Sequence, residues 1–185
     1  MPVLNRWLTC SCWLLLWLLV GESSPTNGTE QSADDYVEHM LGCKAPAVSF
    51  IWLKGEVADA VKKILGHDYP QQRVRYWSAE GRTVWVLEEI GKVKLITVGF
   101  VVANSEITQM KVLVYRESRG REIANSFFTD RFKGQKLDAK LQLQRPVDGI
   151  SGATLSVRAM TRLARMALCL DAARHPVPNA AAGPT

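Results

Sequence analysis

Asp148-Gly149-Ile150-Ser151-Gly152-Ala153-Thr154-Leu155-Ser156 runs straight into a helical pattern. Met160, Leu163, Ala164, Ala167 and Leu170 recur at the i, i+3, i+4, i+7 spacing of one buried helix face, with Arg158, Arg162 and Arg165 on the opposite side. A Gly-containing loop headed by an acid therefore opens onto a helix N-terminus. The first N–H groups of a helix lack intrahelical partners and its dipole is positive at that end, which suits a phosphate. Thr154 puts a hydroxyl there, and Gly152 with Ala153 lets a bulky group approach the backbone.

Outward from this stretch the period changes. Leu141-Gln142-Leu143-Gln144 alternates strictly and reads as a last strand leading into the loop. Ile107 to Tyr115 reads as a strand with Val112 and Val114 on one face, and Asn104-Ser105 as the turn before it. Val93 to Ala103 is a long β-rich run set off by Gly91, and strands lie either side of Ala79-Glu80-Gly81. Phe50 to Leu65 reads as the first substantial helix, with Leu53, Val57, Ala60, Val61 and Ile64 as its stripe and Gly66 as its stop. Asp35 to Leu41 reads as a short helical turn ended by Gly42. Strands in sequence joined by short turns pair antiparallel. The fold class is α+β: an antiparallel sheet of about four strands flanked by an N-terminal and a C-terminal helix.

The length of 185 residues allows one well-cored domain with accessories. The net charge of +5 serves solubility, or attraction to anionic lipid or an acidic redox partner. No basic cluster interleaved with aromatics argues for nucleic acid. His39, His67 and His175 are isolated, so spacing assembles no metal site. Arg6 precedes an uncharged apolar run, Trp7 to Val20, followed by Gly21-Glu22-Ser23-Ser24. That is the layout of an export signal cut after Ser23, or of an uncleaved anchor with Arg6 left in the cytoplasm. Cys10 and Cys12 lie inside the run, which leaves Cys43 and Cys169 as one disulfide or two thiols. A hydrolase elbow, Gly149-x-Ser151-x-Ala153 followed by Asp171 and His175, fails on architecture: Gln144-Arg145-Pro146 precedes the loop where a buried parallel strand is needed.

The opening stretch resembles the flavinylation motif of the FMN-binding domain family. Members include the G subunit of Rnf-type complexes and the C subunit of sodium-pumping NADH:quinone reductases. The family pattern, roughly Asp-x-x-Ser-Gly-Ala-Thr-x-Ser/Thr, is met by Asp148-x-x-Ser151-Gly152-Ala153-Thr154-x-Ser156. The resemblance implies that Thr154 carries FMN through a phosphoester, installed from FAD by a flavin transferase. It implies that Asp148 serves as the motif acid and that Gly149, Ser151, Gly152, Ala153, Leu155 and Ser156 surround the attachment point. Ser151 and Ser156 would bond phosphate oxygens or cap the helix, and Arg158 would pair with phosphate or face solvent. Glu117-Ser118-Arg119-Gly120-Arg121-Glu122 is similar to the family's Glu-Thr-Pro-Gly-Leu-Gly turn, with Arg119 and Arg121 as departures; Glu117 and Gly120 carry over. Phe132-Lys133-Gly134 resembles its Phe-x-Gly.

Residues 1–23 read as the signal or anchor, 24–46 as a linker and 173–185 as a disordered tail, and on that resemblance 47–172 holds the FMN-binding domain. The protein is then an electron carrier in the periplasm or on the outer face of the cytoplasmic membrane, taking electrons from a membrane donor protein and passing them to an exported acceptor. Trp52, Trp77, Trp85 and Tyr115 are available to cover a flavin ring or to fill the core. The alternative is a domain that binds FMN without a covalent bond or serves as a scaffold subunit.

Overall fold

The computed structural model describes residues 32–174. Its elements in order are α1 (Ala33–Leu41), β1 (Ser49–Trp52), α2 (Gly55–Leu65), β2 (Arg73–Ala79), β3 (Arg82–Ile90), β4 (Leu95–Ala103) and β5 (Glu106–Tyr115). After them come α3 (Ser126–Thr129), with a 3-10 turn on each side, and the long helix α4 (Thr154–Arg174). The strands form one antiparallel sheet in the order β1-β2-β3-β4-β5. The class is the expected α+β, with five strands in the sheet.

Local chemistry sets the breaks. Ser32 caps α1 by accepting from the Asp35 N–H at 3.0 Å. Gly42 closes that helix in the left-handed region, φ +69°, with its N–H on the Glu38 carbonyl. The β2–β3 and β4–β5 hairpins turn on Glu80-Gly81 and Asn104-Ser105, all four residues at positive φ, as the twist of a two-residue hairpin loop demands.

The sheet is covered on both faces. Trp85, Leu87, Ile96, Val98, Phe100 and Val102 point to α2 and α4, where Met160, Leu163, Ala164, Ala167 and Leu170 are fully buried, as the helical spacing requires. The large side chains on that interface each contribute about 1.5–3 kcal/mol. Val84, Val101 and Leu113 point the other way, to Tyr36, Val37, Met40 and Leu41 of α1. Gly99 lies beneath Tyr36: a Cβ there would fall 2.2 Å from the ring. So Ala33–Leu41, within the stretch read as linker, folds onto the sheet.

Three local expectations are corrected. Phe50 to Leu65 is not one helix: Ser49–Trp52 is a strand, and helix begins at Gly55. Ile51 faces the core while Phe50 and Trp52 face out, a period-two pattern too short to be distinct in sequence. Val112 and Val114 face opposite sides, because the register shifts between their partners Val98 and Thr97 and Leu113 is the extra residue of the bulge. Leu141 to Gln144 forms no strand. Leu141 has φ +61°, and the Asp138 carboxylate accepts the Lys140 and Gln142 N–H groups, which fixes a turn and leaves a single Leu137–Leu143 bridge.

Candidate functional site

The motif loop is pinned from below and open above. Val147 and Ile150 pack against the core and Ala153 is buried. Asp148, Gly149, Ser151, Gly152, Thr154 and Leu155 are exposed. The Ala153 N–H bonds the Ile150 carbonyl, and the Ala153 carbonyl accepts the first helical bond from Val157. Ala153 therefore stands at the cap position with no side-chain oxygen to offer, so neither Ser151 nor Ser156 caps α4. The first-turn N–H groups and the positive end of a helix of 21 residues are left facing outward beside the Thr154 hydroxyl. Gly152 takes φ +82°, a conformation that disfavours any side chain. Arg131 donates to the Asp148 carbonyl at 3.0 Å and lies over the rings of exposed Phe127 and buried Phe128, which ties α3 to the head of the loop.

The turn after β5 meets this loop. Gly120 has φ +81°, and a Cβ on it would stand 2.9 Å from the Ala153 Cβ and 3.0 Å from the Tyr115 hydroxyl. Tyr115 donates to the Arg119 carbonyl and lies 3.5 Å from the Ser156 hydroxyl, so it bridges the turn and the first turn of α4. Burial raises the Tyr115 phenol above its usual range, and the group stays protonated at neutral pH. Glu117 turns away to accept the N–H groups of Lys92, Val93 and Lys94 at 2.7, 2.7 and 2.9 Å. Those bonds, Lys94 and Val93 foremost, hold its carboxyl below the ordinary range. Glu117 thus fixes the β3–β4 turn at the same end of the sheet, and its part in this fold is to shape the rim.

The remaining candidates separate by position. Trp77 and Trp85 are core residues. Trp52 is on β1, four strand spacings or about 19 Å from β5. Tyr115 is the one of the four aromatic candidates beside the motif. Arg158 is exposed, whereas Arg162 reaches the buried Glu89 carboxylate at 3.3 Å and Arg165 donates to the Leu141 carbonyl. His67 sits in a turn bonded to the Asp68 carbonyl and Glu89. Cys43 is an exposed and Cys169 a buried free thiol. Asp171 lies at the far end of α4, bonded to Thr83, roughly 25 Å of helix from Ser151, and so belongs to no triad with it. His175, the N-terminal signal or anchor and the tail after Arg174 lie outside the described residues. Among the described residues no helix is long and apolar enough to cross a membrane.

A pinned loop, an exposed threonine at a helix N-terminus and a glycine packed against Ala153 come together at one end of the antiparallel sheet, where a helix N-terminus suits an anionic group. Residues 91–169 match the family model of the FMN-binding domain, and this part of the chain belongs to that family. The match begins at the turn that Glu117 clamps and ends in α4. It therefore spans β4, β5, α3 and the motif, and the match supports flavin binding by this domain. No curated protein and no solved structure matches the chain.

Proposed function

We propose that this chain is an exported flavoprotein that carries FMN covalently on Thr154 and relays electrons from a membrane donor protein to an acceptor outside the cytoplasm. The observation that carries the covalent reading is the placement of Thr154. It is exposed at the first residue of α4, in a loop anchored by Val147, Ile150 and Ala153, inside a matched FMN-binding domain. In a flavin transferase, the Thr154 oxygen forms a bond to the FMN-side phosphorus of FAD, the bond to the AMP half breaks, AMP leaves and the hydroxyl proton is lost.

The chain's own residues then have distinct work. The outward N–H groups of the first turn of α4 hold phosphate charge. Asp148 marks the open side of the loop for the transferase, with its backbone fixed by Arg131. Gly149 and Gly152 keep that side free of side chains, and Ser151 offers a hydroxyl to phosphate from the exposed rim. Ser156 is buried toward Tyr115 and with it sets the helix start against the Gly120 turn. The attached flavin supplies the redox chemistry, while the protein positions it and keeps it from diffusing away. Export is supported by the apolar run Trp7 to Val20 behind Arg6.

The test is intact mass and in-gel flavin fluorescence, under denaturing conditions, of the chain made with a flavin transferase. The parent chain should gain one FMN and Thr154→Ala none. If both run at the bare-chain mass and FMN is released on denaturation, reversible binding replaces the covalent reading.

A further inference from the structure

A second surface lies far from the motif. β1 is an edge strand, and its Phe50 and Trp52 are 44% and 50% exposed. In register they stand opposite Arg75 and Arg73, so the four side chains share one face. The Arg73 guanidinium lies 4.4 Å from the Phe50 ring centre and 5.8 Å from that of Trp52, and the Lys54 ammonium lies 5.0 Å from Trp52. Among the described residues α1 covers this face over Val84, Val101 and Leu113. Beside it remains an open cavity of about 430 Å³, lined by Ser32, Arg75, Val86, Glu88, Thr97 and Arg116 among others.

We propose that this flank is where the domain rests on an anionic lipid bilayer. Exposed tryptophan and phenylalanine rings framed by arginine and lysine are the composition of an interfacial contact: the rings sit at headgroup level and the cations meet lipid phosphate. Arginine also stacks on the rings without giving up its outward donors. Glu88, the acid in the cavity wall, is occupied by the Thr97 hydroxyl at 2.7 Å. Asp34, Asp35 and Glu38 are exposed on α1, which confines the contact to the β1–β2 side.

The chain outside the structure selects lipid as the occupant. The apolar run Trp7 to Val20 joins the described residues through 21–31 at Ser32, and Ser32 lines the same cavity. Fully extended, that connection spans no more than about 40 Å. With the run held in a bilayer, this face is the one nearest the tether. The proposal rests on the reading of the N-terminal run as a retained anchor.

The experiment places the full chain in lipid nanodiscs of phosphatidylglycerol or of phosphatidylcholine. It follows amide hydrogen exchange of residues 48–54 and, separately, incorporation into the discs. Exchange across β1 should slow several-fold on phosphatidylglycerol relative to phosphatidylcholine, and that slowing should vanish in the double variant Arg73→Glu, Arg75→Glu and persist in Lys140→Glu. Lys54→Glu, outside the strands, should lose part of it and serves if the double variant fails to fold. Equal exchange in both lipids with normal incorporation overturns the docking, leaves the anchor standing and points to an acidic protein as the partner. A chain that enters neither disc overturns the anchor and the docking together, while covalent loading of Thr154 is read independently by mass.

Discussion

The two ends of α4 use polar groups in opposite ways. At its C-terminal end Asp171 is buried, accepts from Thr83 at 2.6 Å and forms an ion pair with Arg174 at 3.4 Å, and Thr83 accepts from the Trp85 indole at 3.0 Å. These contacts close that end of the helix against β3. At its N-terminal end the cap position is an alanine, the first residue is an exposed threonine, and the neighbouring strand turn donates a glycine rather than a side chain. One end fastens the helix to the sheet so that the other can leave donors unspent.

The largest effect should come from breaking the closed end. Asp171→Ala removes the shared acceptor of Thr83 and Arg174 and should cost about 2–3 kcal/mol in chemical denaturation. Flavin loading per folded molecule should not change. Gly120→Ala attacks the open end. Its Cβ would overlap Ala153, and φ +81° strains any side chain, so about 1–3 kcal/mol should be lost together with most flavin loading. Adding Ala153→Gly should recover loading in part by removing the overlap.

A smaller, pH-dependent effect isolates the rim. The carboxyl of Glu117 is held below its ordinary value of 4.5 by the N–H groups of Lys94, Val93 and Lys92. Its contribution is therefore fully present above that value and lost as pH falls through the depressed one. Amide exchange at Lys92–Lys94, corrected for intrinsic rates, should speed up only in acid for the parent chain. In Glu117→Gln it should already be fast at neutral pH. Arg158→Ala, on the solvated side of α4, should move stability by less than about 0.5 kcal/mol and leave loading intact.

Legibility in the sequence followed the range of the interactions. The α4 stripe, the two hairpin turns and the Gly42 and Gly66 stops depend on neighbours within a few residues, and they could be read directly. β1 could not, because Phe50 and Leu53 fit the helical spacing of the stripe that follows. Nor could the bulge at Leu113, which is set by the partner strand. Leu141 to Gln144 shows alternation defeated by one aspartate that binds its own turn. At the site, the motif was legible as a string of constrained residues. The bond of Glu117 to residues 92–94 and the meeting of Gly120 with Ala153 span more than twenty residues and leave no local trace. Arg131, which fixes the Asp148 carbonyl, carried no signal at all beyond being an arginine.

The most direct test of the account is to locate the flavin on the chain. Lys140 and Arg158 bound a tryptic peptide, Leu141–Arg158, because Pro146 protects the Arg145 bond; it contains Ser151, Thr154 and Ser156. Tandem mass spectrometry of this peptide from transferase-treated protein should place a single FMN phosphoester on Thr154. A modification on Ser151 or Ser156, or an unmodified peptide from protein that still fluoresces when denatured, would contradict it.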